Sequence, residues 1–414
     1  MPQAEEYSEQ VRKILILSPS DIFPPVDGNS ENIYHIIKYL APKNVLGVLL
    51  SHVFSQGGTV DLFHPHLTIR YCPPTIFDRL QYKSFLLNPH YFKAAHDLMQ
   101  DLKADIIQCQ VLYTIFVGYS LKKRFHKPLV LVQENAEYIK QVKFQAPAYV
   151  TYVLRWMEHM ACNVADKIVA VSEADKKHMM ELYNIPAQKI HVIEHCADAE
   201  TFKYDADSGK KVREALGISD QDMVLTYVGK MDAPHNTVAT QHIAERIYPV
   251  VSSRYPNSTF MIVGQNYEHL LKYRKERIFF TGFVTSRRDA SPNLADYLSA
   301  SDIVIVPMDR GSGTRLKILE AAACSRPIVS TEVGAEGLDF VNDKEILLCD
   351  RIDEGFTQLV LSLLEDEARR EELGRRARQK VLSRYSWERE VAKFEGVYRE
   401  IEDRRAATSF GQRA

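Results

Sequence analysis

The sequence predicts two doubly wound α/β domains, each a parallel sheet covered by helices on both faces, and three observations lead there. Its 414 residues exceed one ordinary hydrophobic core and suit two or three domains of ~150 residues each. Hydrophobic residues make up 45% and charged residues 26%, the balance of a compact globular chain, which excludes extended disorder, collagen-like repeats and disulfide scaffolds. Short aliphatic runs alternate with helix-like stretches, pause once and restart, which is the rhythm of parallel strands buried on both sides.

In the first series, residues 13–18, 45–52, 67–71, 105–108, 129–133, 167–171 and 189–193 read as strands, because β-branched and aliphatic side chains run through them. Between the first two, Ile33, Ile36, Ile37 and Leu40 fall on one helical stripe. Residues 198–209 are polar and aperiodic and read as an interdomain linker. The second series of strands follows at 223–228, 259–263, 277–281, 302–306, 327–330 and 345–348. Ligands of such sheets bind beyond the carboxyl ends of the strands, so two facing domains place a site in the cleft between them. After residue 348 the chain becomes helical and charged, and residues 369–378 carry both signs at helical spacing, as a solvated face does. Trp387, Val391, Phe394, Val397, Tyr398 and Ile401 form an apolar stripe on a last helix, which needs a surface to dock on. The predicted division is a first domain over 1–200, a second over 201–385, a final helix over 386–404 and a polar tail over 405–414.

Lys and Arg number 52 against 54 Asp and Glu, a net charge of -2, so no global attraction to nucleic acid or acidic lipid is expected and any anion site must be local. The 6 cysteines lie far apart and never form C-x-x-C, which removes the usual zinc and redox spacings and leaves reduced, mostly buried thiols. Residues 1–13 are polar and acidic, and the apolar run at 14–17 is far shorter than a signal-peptide core. Nowhere do ~20 apolar residues run together. A reducing cytosol is the default location.

The most informative segment joins a buried strand ending at Pro307 to a loop, Gly311-Ser312-Gly313-Thr314, and a periodic helix over 316–323. Free backbone N–H groups and the positive end of the helix dipole meet at such a start, which suits a phosphate. Arg315 and Lys317 add cations at that same end, where they oppose the dipole unless an anion compensates. Read as local sequence alone, Gly-x-Gly equally describes an ordinary loop with exposed basic residues. Glu320 stands among Ile318, Leu319 and Ala321 on the same helix. A carboxylate packed that way needs hydroxyl or N–H partners, which a ribose diol supplies.

This segment resembles the signature of glycosyltransferases of the GT-B fold, family 4, in which a glycine-rich loop enters a helix reading Leu-Glu-Ala-x-Ala. The resemblance extends over most of the chain. Residues 167–173 and 189–198 are similar to the family's passages into the interdomain linker; residues 224–230, 260–264 and 280–283 are similar to strands of its second domain; Ser386-Trp387 matches the start of its final helix. The resemblance implies that the last helix crosses back to the first domain, and that a sugar passes from a nucleotide-diphosphate donor on the second domain to an acceptor on the first, usually with retention. Carried over by position, Glu320 matches the glutamate associated with the donor ribose. Gly313 and Thr314 match backbone that meets the donor, with Ser312 where the family's other motif glutamate stands. Gly28 matches a first-domain glycine loop facing the diphosphate, and Asn135, beside Glu134, lies near the residue flanking the transferred sugar. Of the basic pair after the second domain's opening strand, Gly229-Lys230 keeps one lysine, while His235 and Asn236 occupy the other place. His195-Cys196-Ala197-Asp198 replaces the usual Asn-Gly-Val-Asp.

Departure of a nucleoside diphosphate develops negative charge, so catalysis needs cations and N–H donors that strengthen as the bond breaks. Lys230, Arg315, Lys317 and the amides of Gly313 and Thr314 are the candidates. No Asp-x-Asp with a metal-compatible cluster appears, so metal independence and no cofactor beyond the donor are expected. The resemblance implies an acceptor that is a glycan, a lipid-linked or another molecule of cell-surface polysaccharide or glycoconjugate synthesis, with possible peripheral contact to the inner membrane face and no nucleic acid. Two alternatives stay open: a nucleotide-sugar epimerase, and a catalytically silent relative that binds nucleotide or sugar. Residues 71–92, rich in aromatic and basic side chains, read either as an acceptor or membrane-facing surface or as aromatic packing under a loop.

Overall fold

The computed structural model describes residues 11–23, 25, 28–51, 64–72, 88–288, 290–311 and 313–411. Two all-parallel sheets form the frame. The first runs through β1 (Lys13–Leu17), β2 (Val45–Ser51), β3 (Leu67–Cys72), β4 (Ile106–Gln110), β5 (Leu129–Gln133), β6 (Lys167–Ala170) and β7 (Ile190–Val192), in the order β3-β2-β1-β4-β5-β6-β7. The second runs through β8 (Met223–Val228), β9 (Ser258–Val263), β10 (Ile278–Phe280), β11 (Ile303–Val306), β12 (Ile328–Thr331) and β13 (Leu347–Cys349), in the order β10-β9-β8-β11-β12-β13. Strand order reverses between β1 and β4 in one sheet and between β8 and β11 in the other. These are the places where loops diverge to opposite faces and open a crevice.

Every predicted strand among the described residues is present; the central strands are buried along almost their whole length, as their continuous apolar runs require, while the edge strands β3, β7, β10 and β13 are only partly buried. Part of the expected linker is helical instead. Asp205 accepts from the amides of Asp207 and Ser208 and so caps the helix Ala206–Leu216. A Cβ on Gly209 would come within 2.7 Å of the Ser299 backbone, so that turn packs tightly against the second domain. The loop from residue 194 to 205 is the remaining connection.

The final helix, Trp387–Gly411, docks the predicted stripe completely: all six apolar residues named above are buried. Trp387 stacks on His35 with ring centroids 4.8 Å apart, and Tyr398 donates to Gln108 Oε1 at 2.6 Å. Arg12 pairs with Glu395 and Glu402 at the same seam. Since His35, Gln108 and Arg12 all belong to the first domain, the helix does cross back. It also runs beyond the expected end, taking residues 405–411 of the predicted polar tail into its last turns. All 6 cysteines are free thiols, and only Cys349 is partly exposed. Among the described residues no helix is long and apolar enough to cross a membrane.

Candidate functional site: a cleft between two switch points

On the second domain, the carboxyl ends of β8 and β11 face the cleft. The Gly311 and Gly313 backbones have φ of 148° and 82°, a region that side chains with a Cβ avoid. The loop therefore turns sharply into the helix Leu316–Ala323, whose start no side chain caps. A Cβ on Gly311 would lie 1.8 Å from Arg315 Nη2, so the guanidinium folds back over that glycine. Burial lowers the Arg315 pKa, against the opposing field of Glu336. Thr314 Oγ1 is buried with no hydrogen-bond partner among the described residues. Ser312 lies outside the described residues.

Lys317 does not point along the loop. Its ammonium turns inward, donating to Asn236 Oδ1 at 3.0 Å and Tyr227 Oη at 3.1 Å, and it sits 4.2 Å from the Tyr227 ring centroid. These partners are neutral. Burial, then the field of Arg315, push its pKa down to about 7, which Glu320 opposes. The charge missing at position 236 is thus delivered there from the neighbouring helix. Asn236 is the hub: it accepts from Tyr227 and Lys317 and donates to the Lys230 carbonyl at 2.8 Å. A Cβ on Gly229 would come within 2.7 Å of the Asn236 amide, so that hub needs a glycine beside it. Lys230 itself is partly exposed, its Nζ 3.9 Å from Asp232.

Glu320 is buried, and among the described residues no hydrogen-bond donor reaches its carboxylate; burial raises its pKa to about 7. His235 lies at the same wall, stacked on Phe144 of the first domain at 5.9 Å, its pKa lowered to about 3 by burial and then by Lys317 and Arg315.

The first domain supplies the opposite wall from the ends of β1, β4 and β5. Gly28 opens the helix Gly28–Leu40, and its Cβ would lie 3.3 Å from Leu316 Cδ1, which brings the first-domain glycine against the second-domain helix. Asn135 meets the other glycine loop, its Cβ 3.5 Å from where a Gly313 Cβ would stand. Gly28, Asn135, Gly313, Thr314 and Arg315 therefore converge. Lys230 and Glu320 flank them, and Lys317 approaches from beneath. A cross-cleft ion pair, Lys143 to Glu336 at 2.7 Å, ties the walls together.

Glu134 and His195 were legible in the sequence, one beside Asn135 and the other in the linker passage, but their contact was not, and Glu158 was missed altogether. Glu134 accepts from Asn32 Nδ2 and from His195 Nε2, the latter at 2.8 Å, linking the helix after β1, the turn after β5 and the chain after β7. His195 replaces a family asparagine, and its ring reaches the carboxylate of Glu134. Glu158, on the helix Ala148–Val164, accepts from Gln133 Nε2, the amides of Glu137 and Tyr138, and Tyr183 Oη. It thereby holds the turn carrying Asn135, while burial raises its pKa to about 7. A signal existed, since Glu158 interrupts the buried stripe of Leu154, Met157, Ala161 and Cys162. Beneath this wall lies a cavity of about 630 Å³. Val111, β-branched yet held at φ 57°, lines it at the end of β4, a strained conformation of the sort that clusters at functional sites. Among the described residues no three His, Cys, Asp or Glu side chains gather as a metal site would require.

Two facing doubly wound domains, with a cation-lined pocket at one switch point and an amide-rimmed cavity at the other, define a two-domain GT-B glycosyltransferase. The chain belongs to the group 1, family 4 glycosyltransferases: residues 34–201 match the model for Glycosyltransferase Family 4 and residues 222–366 that for Glycosyl transferases group 1. It is 28% identical over 262 residues to a D-inositol 3-phosphate glycosyltransferase of Xylanimonas cellulosilytica, spanning 60% of each protein. It is 22% identical to the UDP-Gal:alpha-D-GlcNAc-diphosphoundecaprenol alpha-1,3-galactosyltransferase of Escherichia coli, over 73% of this chain and 77% of that one. Among solved structures, sucrose-phosphate synthase from Thermosynechococcus elongatus superposes with a TM-score of 0.78 at 18% identity, covering 95% of this chain and 99% of that one. Anabaena HepE in complex with UDP-glucose superposes at 0.70 and 16%, covering 93% and 100%.

Proposed function

We propose that the protein transfers a sugar, with retention, from a nucleotide-diphosphate donor on its second domain to an acceptor on its first, in the synthesis of a cell-surface polysaccharide or glycoconjugate. The acceptor is a glycan or a lipid-linked glycan, in keeping with the lipid-linked substrate in the Escherichia coli relative's name. The observation that carries this reading is Lys317, a desolvated ammonium held by neutral partners beneath an uncapped helix start. A buried cation so placed is stabilised by an incoming anion.

In this reading the donor's diphosphate lies over the Gly313–Thr314 amides between Arg315 and Lys230, and the ribose diol supplies the hydroxyl donors that Glu320 lacks. As the glycosidic bond breaks, charge grows on the leaving diphosphate and these groups bind it more tightly, which lowers the barrier. Gly28 lets the first-domain chain approach the same phosphates, and Asn135 offers its amide to the transferred sugar. Retention is the family's usual course. The cations take the charge-compensating place a metal would fill, so transfer is proposed to be metal-independent, and turnover is expected to be unchanged by a chelator. The chain works in the cytoplasm, where nucleotide sugars are made.

The test is a panel of nucleotide sugars followed for nucleotide release with and without cell-envelope lipid. Acceptor-dependent release supports transfer, conversion of one nucleotide sugar into another would mean epimerisation, and binding without any product would make the protein a silent relative.

A further inference from the structure

The first-domain cavity is built in two halves. Its rim toward the cleft carries Asn29, Gln133 and Asn135, each with a side-chain oxygen that is buried and has no hydrogen-bond partner among the described residues. Unsatisfied acceptors of that kind call for hydroxyl donors, which a sugar supplies. Much of the remaining wall is apolar, through Val111, Leu112, Val150, Leu154 and Met157, with Glu137, Lys140 and Gln141 of the helix Glu137–Lys143 beside them. Nothing in a sugar answers the apolar part.

The apolar wall continues outside. On the helix Ala148–Val164, Tyr149, Tyr152, Val153 and Trp156 follow the i, i+3, i+4, i+7 pattern, and they are exposed by 71%, 76%, 48% and 55%. The opposite stripe of this helix is buried, so these residues add a second apolar face where a polar one is expected. Tyr149 and Val153 belong to both surfaces, so the cavity lining passes onto the stripe through them. Trp156 lies against Phe116 at 6.5 Å, which holds the far end of the stripe in place.

We propose that this cavity and stripe hold the apolar aglycone of the acceptor, so that the acceptor is a glycoside of an alkyl or polyisoprenoid chain. Its sugar sits among Asn29, Gln133 and Asn135, and its chain leaves over Tyr149, Val153 and Trp156. The inference rests on the transferase reading and narrows its acceptor to one class. A single amphipathic molecule is the occupant because only a ligand entering the cavity meets both halves; a protein partner or a bilayer would cover the stripe and leave the interior unused.

Trp156 provides a direct readout, since the chain has 2 tryptophans and the other, Trp387, is buried against His35. n-Alkyl glucosides from methyl to octyl, below their micellisation concentrations, serve as probes. Trp156 emission is expected to shift to the blue, with affinity rising about threefold to fourfold per added methylene. In Val153→Asp, an exposed position at which folding is retained, that factor is expected to fall below about twofold, while nucleotide-sugar affinity and melting temperature stay unchanged. Equal affinity for methyl and octyl glucoside, or a chain-length dependence that Val153→Asp leaves intact, would overturn the proposal. A Trp156 shift seen only with phosphatidylcholine vesicles would overturn it too, and would assign the stripe to a bilayer. Failure of the transferase reading shows separately, as absence of nucleotide-sugar binding by calorimetry.

Discussion

The two walls of the cleft are built from opposite materials. The second-domain wall draws the cations Arg315 and Lys317 and the carboxylate of Glu320 from the six residues 315–320, desolvated on one helix and its approach. The first-domain wall is assembled from residues scattered between Gly28 and His195, and the carboxylates of Glu134 and Glu158 are already satisfied: Glu134 by Asn32 and His195, Glu158 by four donors. One wall buries Lys317 on neutral partners and Glu320 without a donor among the described residues, whereas the other spends its carboxylates on holding a turn and presents amides and a cavity. In the proposed function the first binds an anion and the second orients a neutral acceptor.

The most direct way to break this comparison is to remove the buried cations. Arg315→Ala and Lys317→Ala are each expected to lower turnover by about 10²- to 10³-fold, the loss typical of one transition-state donor, and to weaken nucleotide-diphosphate affinity by calorimetry. If turnover and affinity both survive, the second-domain wall does not bind by charge. On the other wall the expected damage is to folding. Glu158→Ala strands three buried amide donors and the Tyr183 hydroxyl, an expected loss of about 2–4 kcal/mol, read as a lower denaturation midpoint, with donor affinity unchanged. Because burial raises the Glu158 pKa to about 7, the folded state holds a proton that the unfolded chain releases near pH ~4.5. The Glu158 contribution to stability is therefore fully present below that lower value and is lost as pH rises toward about 7. A Glu158→Gln protein is expected to show a flatter stability profile across that window.

Legibility in the sequence follows the same division. Buried parallel strands declare themselves because both faces are apolar, and the helix Leu316–Ala323 was readable to the residue because its glycine loop, cations and apolar period are contiguous. Asn135 and Gly28 were placed by position within motifs, and the fold brings Asn135 to Gly313 and Gly28 to Leu316 at the start of the helix. The Glu134–His195 pair was not readable, because 61 residues separate its members and only the β5 and β7 ends bring them together. Nor does a linear reading show that Lys317 turns inward: its direction depends on Tyr227 and Asn236, which belong to another strand and helix. The helix inside the expected linker was missed for a local reason, the capping role of Asp205.

A smaller effect sharpens the role of Glu320. Among the described residues its carboxylate has no donor, so it should distinguish a ribose from a 2′,3′-dideoxyribose. Glu320→Gln is expected to bind a ribonucleoside diphosphate about tenfold more weakly, the scale of one hydrogen bond to a charged group. It should bind the 2′,3′-dideoxy analogue almost as the unaltered protein does. An equal loss for both sugars would remove Glu320 from the ribose and return it to packing.

The smallest signal is also the most specific, because it is a proton. Burial and Arg315 hold the Lys317 pKa at about 7, so at pH ~8 most of the protein carries a neutral amine there. A diphosphate placed nearby favours the charged form and raises that pKa, so donor binding must take up a proton from solvent, up to about one near pH 8 and almost none near pH 5. A nucleotide sugar suits the measurement because its diphosphate is a diester without a proton to exchange near neutrality. Calorimetry in buffers of different ionisation enthalpy reads the uptake directly. Lys317→Met, which keeps the stem and removes the charge, should abolish it. Glu320→Gln should retain it, which separates the lysine from the neighbouring carboxyl that also titrates near 7. Uptake that persists in Lys317→Met would mean that the diphosphate lies beyond the reach of this ammonium, leaving Arg315, Lys230 and the loop amides to hold it.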